Sequence, residues 1–215
     1  MKLKERYDGI IGWFRENMPV AETELVHRDP YELLVAVILS AQCTDKRVNL
    51  ITPSFYARFP DIHSLAGAGQ EEVFEIIRSC SYPNNKARHL IAASKKICED
   101  FGGQVPAEVN ELMTIPGIGR KTANVIASVA FSKQALAVDT HVNRVSARLG
   151  LTRGARTPLE TEKQLTRHIP GELHAIAHHW LILHGRYVCQ ARKPKCGECG
   201  LTTYCRYYQK LGSGD

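Results

Sequence analysis

Residues 114–123 read Thr-Ile-Pro-Gly-Ile-Gly-Arg-Lys-Thr-Ala, and the Pro-Gly-Ile-Gly core of this stretch is typical of a tight turn. Apolar residues that favour helices flank the turn, with Val109, Leu112 and Met113 before it and Val125, Ile126 and Val129 after it. Glycine tolerates backbone angles that a Cβ atom forbids, and it leaves N–H groups accessible beside a helix start. Such groups suit one phosphate of a nucleic-acid backbone. The stretch therefore predicts two helices joined by a turn that binds phosphate.

A lysine and a carboxylate follow this turn, Lys121 directly and Asp139 eighteen residues later. A lysine amine is a nucleophile only when neutral, so a catalytic Lys121 requires a pKa below the usual ~10.4. The neighbouring Arg120, a helix N-terminus and partial burial would all act in that direction. Taken alone, Lys121 is more simply interpreted as a solvated or phosphate-binding lysine, and Asp139 as an aspartate that caps a helix.

The composition limits the class of protein. The chain has 215 residues, a net charge of +6 and a pI near 9.0. This charge favours a polyanionic partner, although many equally basic proteins bind no nucleic acid. The charged start, residues 1–6, lacks the apolar core of a secretory signal, and the apolar runs are too short to cross a bilayer. We therefore expect a cytoplasmic protein that does not enter a membrane.

The seven cysteines are unevenly spaced. Cys43, Cys80 and Cys98 are isolated, whereas the other four form the pattern Cys-x6-Cys-x2-Cys-x5-Cys at positions Cys189, Cys196, Cys199 and Cys205. An odd count with one cluster indicates a reducing compartment and a metal site rather than a disulfide framework. Four thiolates can bind either zinc or an iron–sulfur cluster, so ligand chemistry alone leaves the metal open.

Helical periodicity predominates, and the near absence of period-two alternation predicts an all-α fold. Asp29, Ser64 and Thr157 are expected helix starts, and Gly102, Gly150 and Gly154 are expected stops. The four histidines between residues 174 and 184 lack the glutamate of a zinc-protease motif, so we expect a helix face that is partly buried and partly solvated. The expected helices cover residues 5–17, 31–43, 46–59, 71–79, 85–101, 108–114, 120–131, 140–149, 158–167 and 171–185.

Taken together, Leu-Ser-Ala-Gln at 39–42, the 114–123 turn, Asp139 and the four clustered cysteines resemble the endonuclease III family of helix-hairpin-helix DNA glycosylases. The resemblance covers about residues 31–208. It implies two helical domains with the active-site cleft between them. One is a six-helix barrel over 22–133, with its hairpin at about 108–131. The other is an iron–sulfur domain made of 1–21 and 134–211, and 212–215 would be a disordered tail.

The resemblance also implies an activity, which is the removal of oxidised pyrimidines from duplex DNA followed by cleavage of the strand. Lys121 would attack the sugar C1′ and form a Schiff base, and β-elimination would break the strand 3′ to the site. Asp139 would accept the lysine proton or stabilise positive charge on the sugar. The clustered cysteines Cys189, Cys196, Cys199 and Cys205 would bind a [4Fe–4S] cluster.

The same resemblance assigns DNA contacts. Gln42 would fill the gap left by a flipped base, and Tyr82 stands where the family often has a leucine wedge. The remaining expected contacts are Pro116, Gly117, Ile118, Gly119 and Arg120 in the turn, His141 and Arg144 after Asp139, and Lys193 and Lys195 between the cysteines. The expected partner is double-stranded DNA with damaged bases or abasic sites, bound by a monomer associated with the nucleoid.

Two alternatives remain open. One is a monofunctional mismatch glycosylase acting on adenine or thymine, and the other is a non-catalytic iron–sulfur protein that binds DNA. The presence of both Lys121 and Asp139 favours the bifunctional enzyme.

Overall fold

A computed structural model of the chain describes residues 1–212, and within that range all regular secondary structure is helical. The all-α prediction is confirmed. Two helices were not expected from the sequence: α4, which is short, and α12, which follows the last cysteine. The α-helices are α1 (Leu3–Asn17), α2 (Pro30–Ser40), α3 (Asp45–Arg58), α4 (Ile62–Ala66), α5 (Gln70–Ile77), α6 (Pro83–Phe101), α7 (Val109–Leu112), α8 (Arg120–Phe131), α9 (Thr140–Leu149), α10 (Pro158–His168), α11 (His174–Tyr187) and α12 (Arg206–Leu211).

Side-chain caps and glycines set most helix ends where the sequence predicts them. The Asp29 carboxylate accepts a hydrogen bond from the Glu32 N–H at 2.8 Å, which starts α2. Gly150, at φ +82°, ends α9 in the left-handed region that favours glycine. Ser64 was wrongly predicted as a helix start, because Asp61 caps α4 and Ser64 lies within its first turn.

The chain divides into two compact units, one formed by residues 23–135 and the other by residues 1–22 together with 136 onwards. The bounds 22–133, and 1–21 with 134–211, remain predictions of where independent domains begin and end. Gly212 is the C-cap of α12, and the rest of the expected disordered tail, 213–215, lies outside the described residues.

The 23–135 unit is built around α2. Every residue from Tyr31 to Leu39 is buried, and α2 packs against α3, α6 and α8. A helix surrounded by other helices must be apolar on nearly all faces, which explains the uninterrupted apolar sequence from Leu33 to Leu39. Only the ends of α2 therefore reach the protein surface.

The other unit has an aromatic core. The Phe14 and Trp180 rings stack with their centroids 5.4 Å apart, and the Tyr7 hydroxyl donates to the Leu151 carbonyl at 2.8 Å. The histidines of α11 are all buried, so the expectation of a partly solvated face is wrong. His174 lies 3.0 Å from the Ile169 carbonyl and His178 lies 2.8 Å from the Ala137 carbonyl, which explains how the core accommodates imidazoles.

None of the helices described between residues 1 and 212 combines the length and the apolar character that crossing a membrane requires.

The Phe14–Trp180 stack yields a stability prediction. Phe14→Ala removes a side chain that is 1% exposed, and we expect the free energy of unfolding to fall by about 3–5 kcal/mol. Val20→Ala, at a residue 74% exposed, is the control and should change it by less than about 0.5 kcal/mol. Urea unfolding followed by circular dichroism measures both, and similar shifts for the two variants would contradict the packing argument.

Candidate active site and cluster loop

The turn between α7 and α8 has the expected hairpin geometry. The Ile118 N–H donates to the Ile115 carbonyl at 3.1 Å, and both isoleucine side chains are buried. Gly117 lies at φ +81°, where a side chain would be strained. A Cβ on Gly117 would also approach the His89 Cβ to 2.9 Å, so both backbone angle and available space require glycine. The two apolar anchors hold the turn on the core while its glycines face outwards.

Lys121 lies in the first turn of α8, directly behind this hairpin. Gly119 is the N-cap and contributes no side-chain cap, and the first turn carries no acidic residue. Helix N-termini ordinarily favour acidic side chains because the helix dipole is positive there, so Arg120 and Lys121 are placed against a local preference. Lys121 is exposed. Such a local conflict indicates a functional rather than a structural choice of residue.

Two further loops of the 23–135 unit meet at the surface. Gln42 follows α2, Tyr82 is the N-cap of α6, and the Ser81 hydroxyl joins the loops by donating to the Gln42 carbonyl at 2.7 Å. Gln42 and Tyr82 have φ values of +54° and +55°, which are uncommon for residues with a side chain. The Tyr82 side chain is 61% exposed. The structure thus brings two predicted DNA contacts together in backbone conformations that cost free energy.

Lys86 supports these loops and was missed by the sequence analysis. Its side chain is buried, and its Nζ donates to the Leu39 carbonyl at 2.7 Å. This bond satisfies a carbonyl at the C-terminus of α2, which has no partner within the helix. Burial lowers the pKa of Lys86 below its usual value. Its spacing in the first turns of α6 was the only signal that the Lys86 side chain faces the core. No local signal identified its hydrogen-bond partner.

In the other unit, Asp139 is the N-cap of α9. Its Oδ1 accepts from the Val142 N–H at 2.8 Å, and its side chain is half-buried. The preceding Val138 is buried and fixes the approach of the chain to the helix. Capping therefore holds the carboxylate in one orientation while leaving it partly exposed.

The other two predicted residues of α9 form a contact with each other. The Arg144 guanidinium donates to His141 Nδ1 at 3.2 Å, to the Gly185 carbonyl at 2.9 Å and to the Cys189 carbonyl at 3.2 Å. Arg144 is half-buried by these contacts. It therefore connects the helix that Asp139 caps to the first of the clustered cysteines, and its contact with DNA remains a prediction.

The four clustered cysteines line one pocket, together with Leu149 and His184. No three cysteine, histidine or acidic side chains in residues 1–212 converge closely enough to hold a single metal ion. Burial raises the pKa of the Cys199 and Cys205 thiols and lowers that of His184 to about 4. Four sulfur donors around one pocket suit a polynuclear cluster, whose iron ions would stabilise the buried thiolates.

Arg148 holds the start of this loop, a role that the sequence analysis did not predict. It donates to the carbonyls of Gln190 and Ala191 at 2.7 and 2.8 Å, and it lies 3.5 Å from the Cys189 sulfur. Its guanidinium also stacks over the Tyr207 ring at 4.9 Å. The available signal was its spacing of four residues from Arg144, which places both arginines on one face of α9.

The predicted basic residues of the loop, Lys193 and Lys195, are both exposed. The Lys195 N–H donates to the Val188 carbonyl at 2.9 Å, so the backbone of this segment folds back on the end of α11. The charged groups therefore extend from a fixed backbone.

Comparisons with known proteins support this arrangement. The family model of the HhH-GPD superfamily base excision DNA repair proteins matches residues 35–170, and that of the iron–sulfur binding domain of endonuclease III matches residues 189–205. Endonuclease III of Bacillus subtilis is 49% identical over 192 residues, which cover 89% of this chain and 88% of the relative. The chain belongs to the endonuclease III family.

Two solved structures extend the comparison. A trapped endonuclease III–DNA covalent intermediate matches with a TM-score of 0.92 and 43% identity, covering 99% of this chain and 100% of that one. A thermostable thymine-DNA glycosylase matches with a TM-score of 0.85 over 96% of this chain and 98% of that one, but at 23% identity this likeness shows the fold alone.

As a member of the endonuclease III family, the protein is a base-excision DNA glycosylase with lyase activity. It carries a [4Fe–4S] cluster, which agrees with the four cysteines and the pocket between them.

Gly117→Ala tests the hairpin of this endonuclease III family member. The left-handed conformation should cost about 1–2 kcal/mol in unfolding free energy. The clash with His89 should also distort the turn and weaken binding to abasic-site DNA. The control is Gly67→Ala in the same unit, because Gly67 has φ −86° and a Cβ there makes only ordinary contacts. Chemical unfolding and fluorescence anisotropy measure the two effects, and equal behaviour of both variants would refute the requirement for glycine.

Arg148→Ala tests the loop contacts. We expect the variant to lose its iron–sulfur absorbance faster in the presence of a chelator, since each charged hydrogen bond contributes about 1.5–3 kcal/mol. Arg192→Ala removes the same charge from an exposed position in the same loop and is the control. Equal rates of cluster loss in the two variants would show that Arg148 does not hold the loop.

Proposed function

We propose that the protein removes oxidised or ring-saturated pyrimidines, such as thymine glycol, from duplex DNA, and that it acts as a monomer. The likeness to a trapped endonuclease III–DNA covalent intermediate supports DNA as the partner and a covalent step. The net charge of +6 favours a polyanion and implies that binding weakens as salt rises.

Lys121 is the nucleophile in this proposal. The observation that carries it is the exposure of Lys121 in the first turn of α8, directly behind a hairpin suited to phosphate. The positive end of the helix dipole and Arg120 both disfavour an additional positive charge there. A neutral Nζ attacks C1′ of the damaged nucleotide, and the glycosidic bond breaks with release of the base.

The same lysine then serves the lyase step. Opening of the sugar gives a Schiff base between Nζ and C1′. Removal of a proton from C2′ allows the C3′–O bond to break, and the strand is cleaved 3′ to the site. Hydrolysis of the Schiff base returns Lys121 to its starting form.

Asp139 acts with Lys121 as a proton acceptor and as a stabiliser of positive charge on the sugar. Its N-cap bond to Val142 supports this role, because a capped carboxylate keeps one orientation and needs little reorganisation during the reaction. The half-exposed side chain is also consistent with access to substrate.

The DNA contacts follow from the surface residues of both units. Gln42 replaces the flipped base in the stack, and Tyr82 stacks on the opposite strand. The backbone and side chains of the hairpin bind phosphate. The complete set proposed is Gln42 and Tyr82, the hairpin residues Pro116, Gly117, Ile118, Gly119 and Arg120, then His141 and Arg144, and finally Lys193 and Lys195.

The [4Fe–4S] cluster supplies four iron–thiolate bonds and takes no part in these steps. Bound by Cys189, Cys196, Cys199 and Cys205, it fixes a loop in which Lys193 and Lys195 are exposed. A fixed basic loop loses less conformational entropy on binding a phosphate backbone than a mobile one does.

The substrate proposal is tested with duplex DNA that carries a single thymine glycol, in the presence of borohydride. A trapped covalent adduct is the expected result. An adduct with an abasic site but none with thymine glycol would retain the lyase activity and refute this lesion. No adduct with either DNA would refute the bifunctional mechanism in favour of a monofunctional enzyme or a DNA-binding protein.

Variants of the two proposed catalytic residues test the mechanism. Lys121→Gln should abolish the trapped adduct, whereas Lys95→Gln removes the same charge from an exposed position on α6 and should retain it. Asp139→Asn should keep the helix cap, because asparagine caps as well as aspartate does. It should slow single-turnover cleavage by about 10²–10⁴-fold with little change in DNA affinity. Normal cleavage by either catalytic variant would contradict the assignment.

A further inference from the structure

Two cysteines outside the cluster loop lie close together at the base of the Gln42 and Tyr82 loops. Cys43 is partly exposed and Cys80 is 5% exposed, and the two thiols are near enough to interact although they are 37 positions apart in sequence. The third isolated cysteine, Cys98, instead lies 3.4 Å from the His63 ring. The chain thus holds one thiol pair and one separate thiol in the same unit.

Backbone hydrogen bonds fix the pair. The Cys43 N–H donates to the Ser40 carbonyl at 3.0 Å, and the Cys80 N–H donates to the Ile77 carbonyl at 2.8 Å. The bond from the Ser81 hydroxyl to the Gln42 carbonyl, at 2.7 Å, joins the residues next to the two cysteines. The two loops that carry the cysteines are therefore held next to each other by local structure.

We propose that Cys43 and Cys80 form a reversible disulfide when the protein meets a peroxide, and that this bond weakens engagement of DNA by the two loops. The disulfide itself depends only on the contact between the thiols. Its effect on DNA rests on the proposed functions of Gln42 and Tyr82.

The sulfurs of Cys43 and Cys80 react in different steps. The accessible Cys43 thiolate attacks one peroxide oxygen, the O–O bond breaks, and a sulfenic acid forms with release of water or an alcohol. Cys80 loses its proton, its sulfur attacks the Cys43 sulfur, and the S–O bond breaks as hydroxide leaves and takes up that proton as water. Two thiols are oxidised by two electrons, and one peroxide is reduced. Burial raises the pKa of Cys80 to about 11, which makes it the second and not the first thiol to react.

The disulfide would alter both loops. An S–S bond of about 2.05 Å sets a narrow range of distances between the two Cβ and the two Cα atoms, so it restricts the relative position of the loops. Gln42 and Tyr82, next to and two residues from the bonded cysteines, both have left-handed backbone conformations that tolerate little adjustment. Fixing the loops together would also prevent them from separating to admit DNA, so oxidation should lower DNA affinity.

The chemical part is tested on the cluster-containing protein, reduced and then freed of reductant before hydrogen peroxide is added. After alkylation and trypsin digestion, mass spectrometry should find residues 29–46 joined to residues 79–86, and dithiothreitol should separate them. Cys43→Ala should give no such product, and Cys98→Ala should give it as the wild type does. Alkylation of both cysteines at a peroxide dose that oxidises Cys98 would overturn the proposal.

The functional part is tested on the same samples by binding to a duplex with a stable abasic-site analogue. We expect oxidised wild type and oxidised Cys98→Ala to bind severalfold more weakly than their reduced forms, with recovery in dithiothreitol. Cys43→Ala should bind equally before and after peroxide, and since it keeps the cluster, damage to the cluster cannot account for a difference. A cross-linked protein that binds as tightly as the reduced one would overturn the regulatory role. Borohydride trapping by the reduced wild type reports separately on the proposed lyase function.

Discussion

The hydrogen-bonding requirement of helix ends determines where this chain can carry function. A helix leaves four N–H groups at its start and four carbonyls at its end without internal partners, so these groups need caps, water or a ligand. The proposed site residues lie at such ends: Gln42 follows α2, Tyr82 caps α6, Lys121 belongs to the first turn of α8, and Asp139 caps α9. Because α2 is buried on every side, only its ends can meet a ligand. The packing that stabilises the fold thus also restricts the site to loops and caps.

In the unit that holds the cluster loop, α9 carries both the proposed catalytic carboxylate and the arginines that bind the loop. Asp139 caps its N-terminus, while Arg144 and Arg148 on its body bind the backbone carbonyls from Gly185 to Ala191. A planar guanidinium with several donors can bind neighbouring carbonyls at once, which a lysine ammonium does less well. A ten-residue helix spans about 15 Å. Through these contacts, the helix that holds the carboxylate is bonded directly to the loop that carries the cysteines.

Local signals predicted much of this structure, and contacts distant in sequence account for what they missed. Asp29 and Gly150 act on their own neighbours, so the sequence alone identifies the helix ends they set. The inward placement of Lys86 was not predictable, because its partner, the Leu39 carbonyl, is 47 residues away. The expectation of a partly solvated histidine face on α11 failed for the related reason that burial depends on the packing of the whole unit. The prediction that Ser64 starts a helix failed for a local reason, because Asp61, three positions earlier, is the better capping residue.

The fold alone does not select the damaged base. A thymine-DNA glycosylase shares this architecture at 23% identity, so specificity must depend on residues at the surface of a common scaffold. Tyr82 is the strongest candidate for a difference in this chain. A left-handed backbone costs a tyrosine about 1–2 kcal/mol, and its side chain is largely exposed to water in the free protein. A strained backbone and an exposed aromatic ring at one position are expected where a ligand compensates for both. The face of a nucleic-acid base is such a ligand, because a tyrosine ring can stack on it.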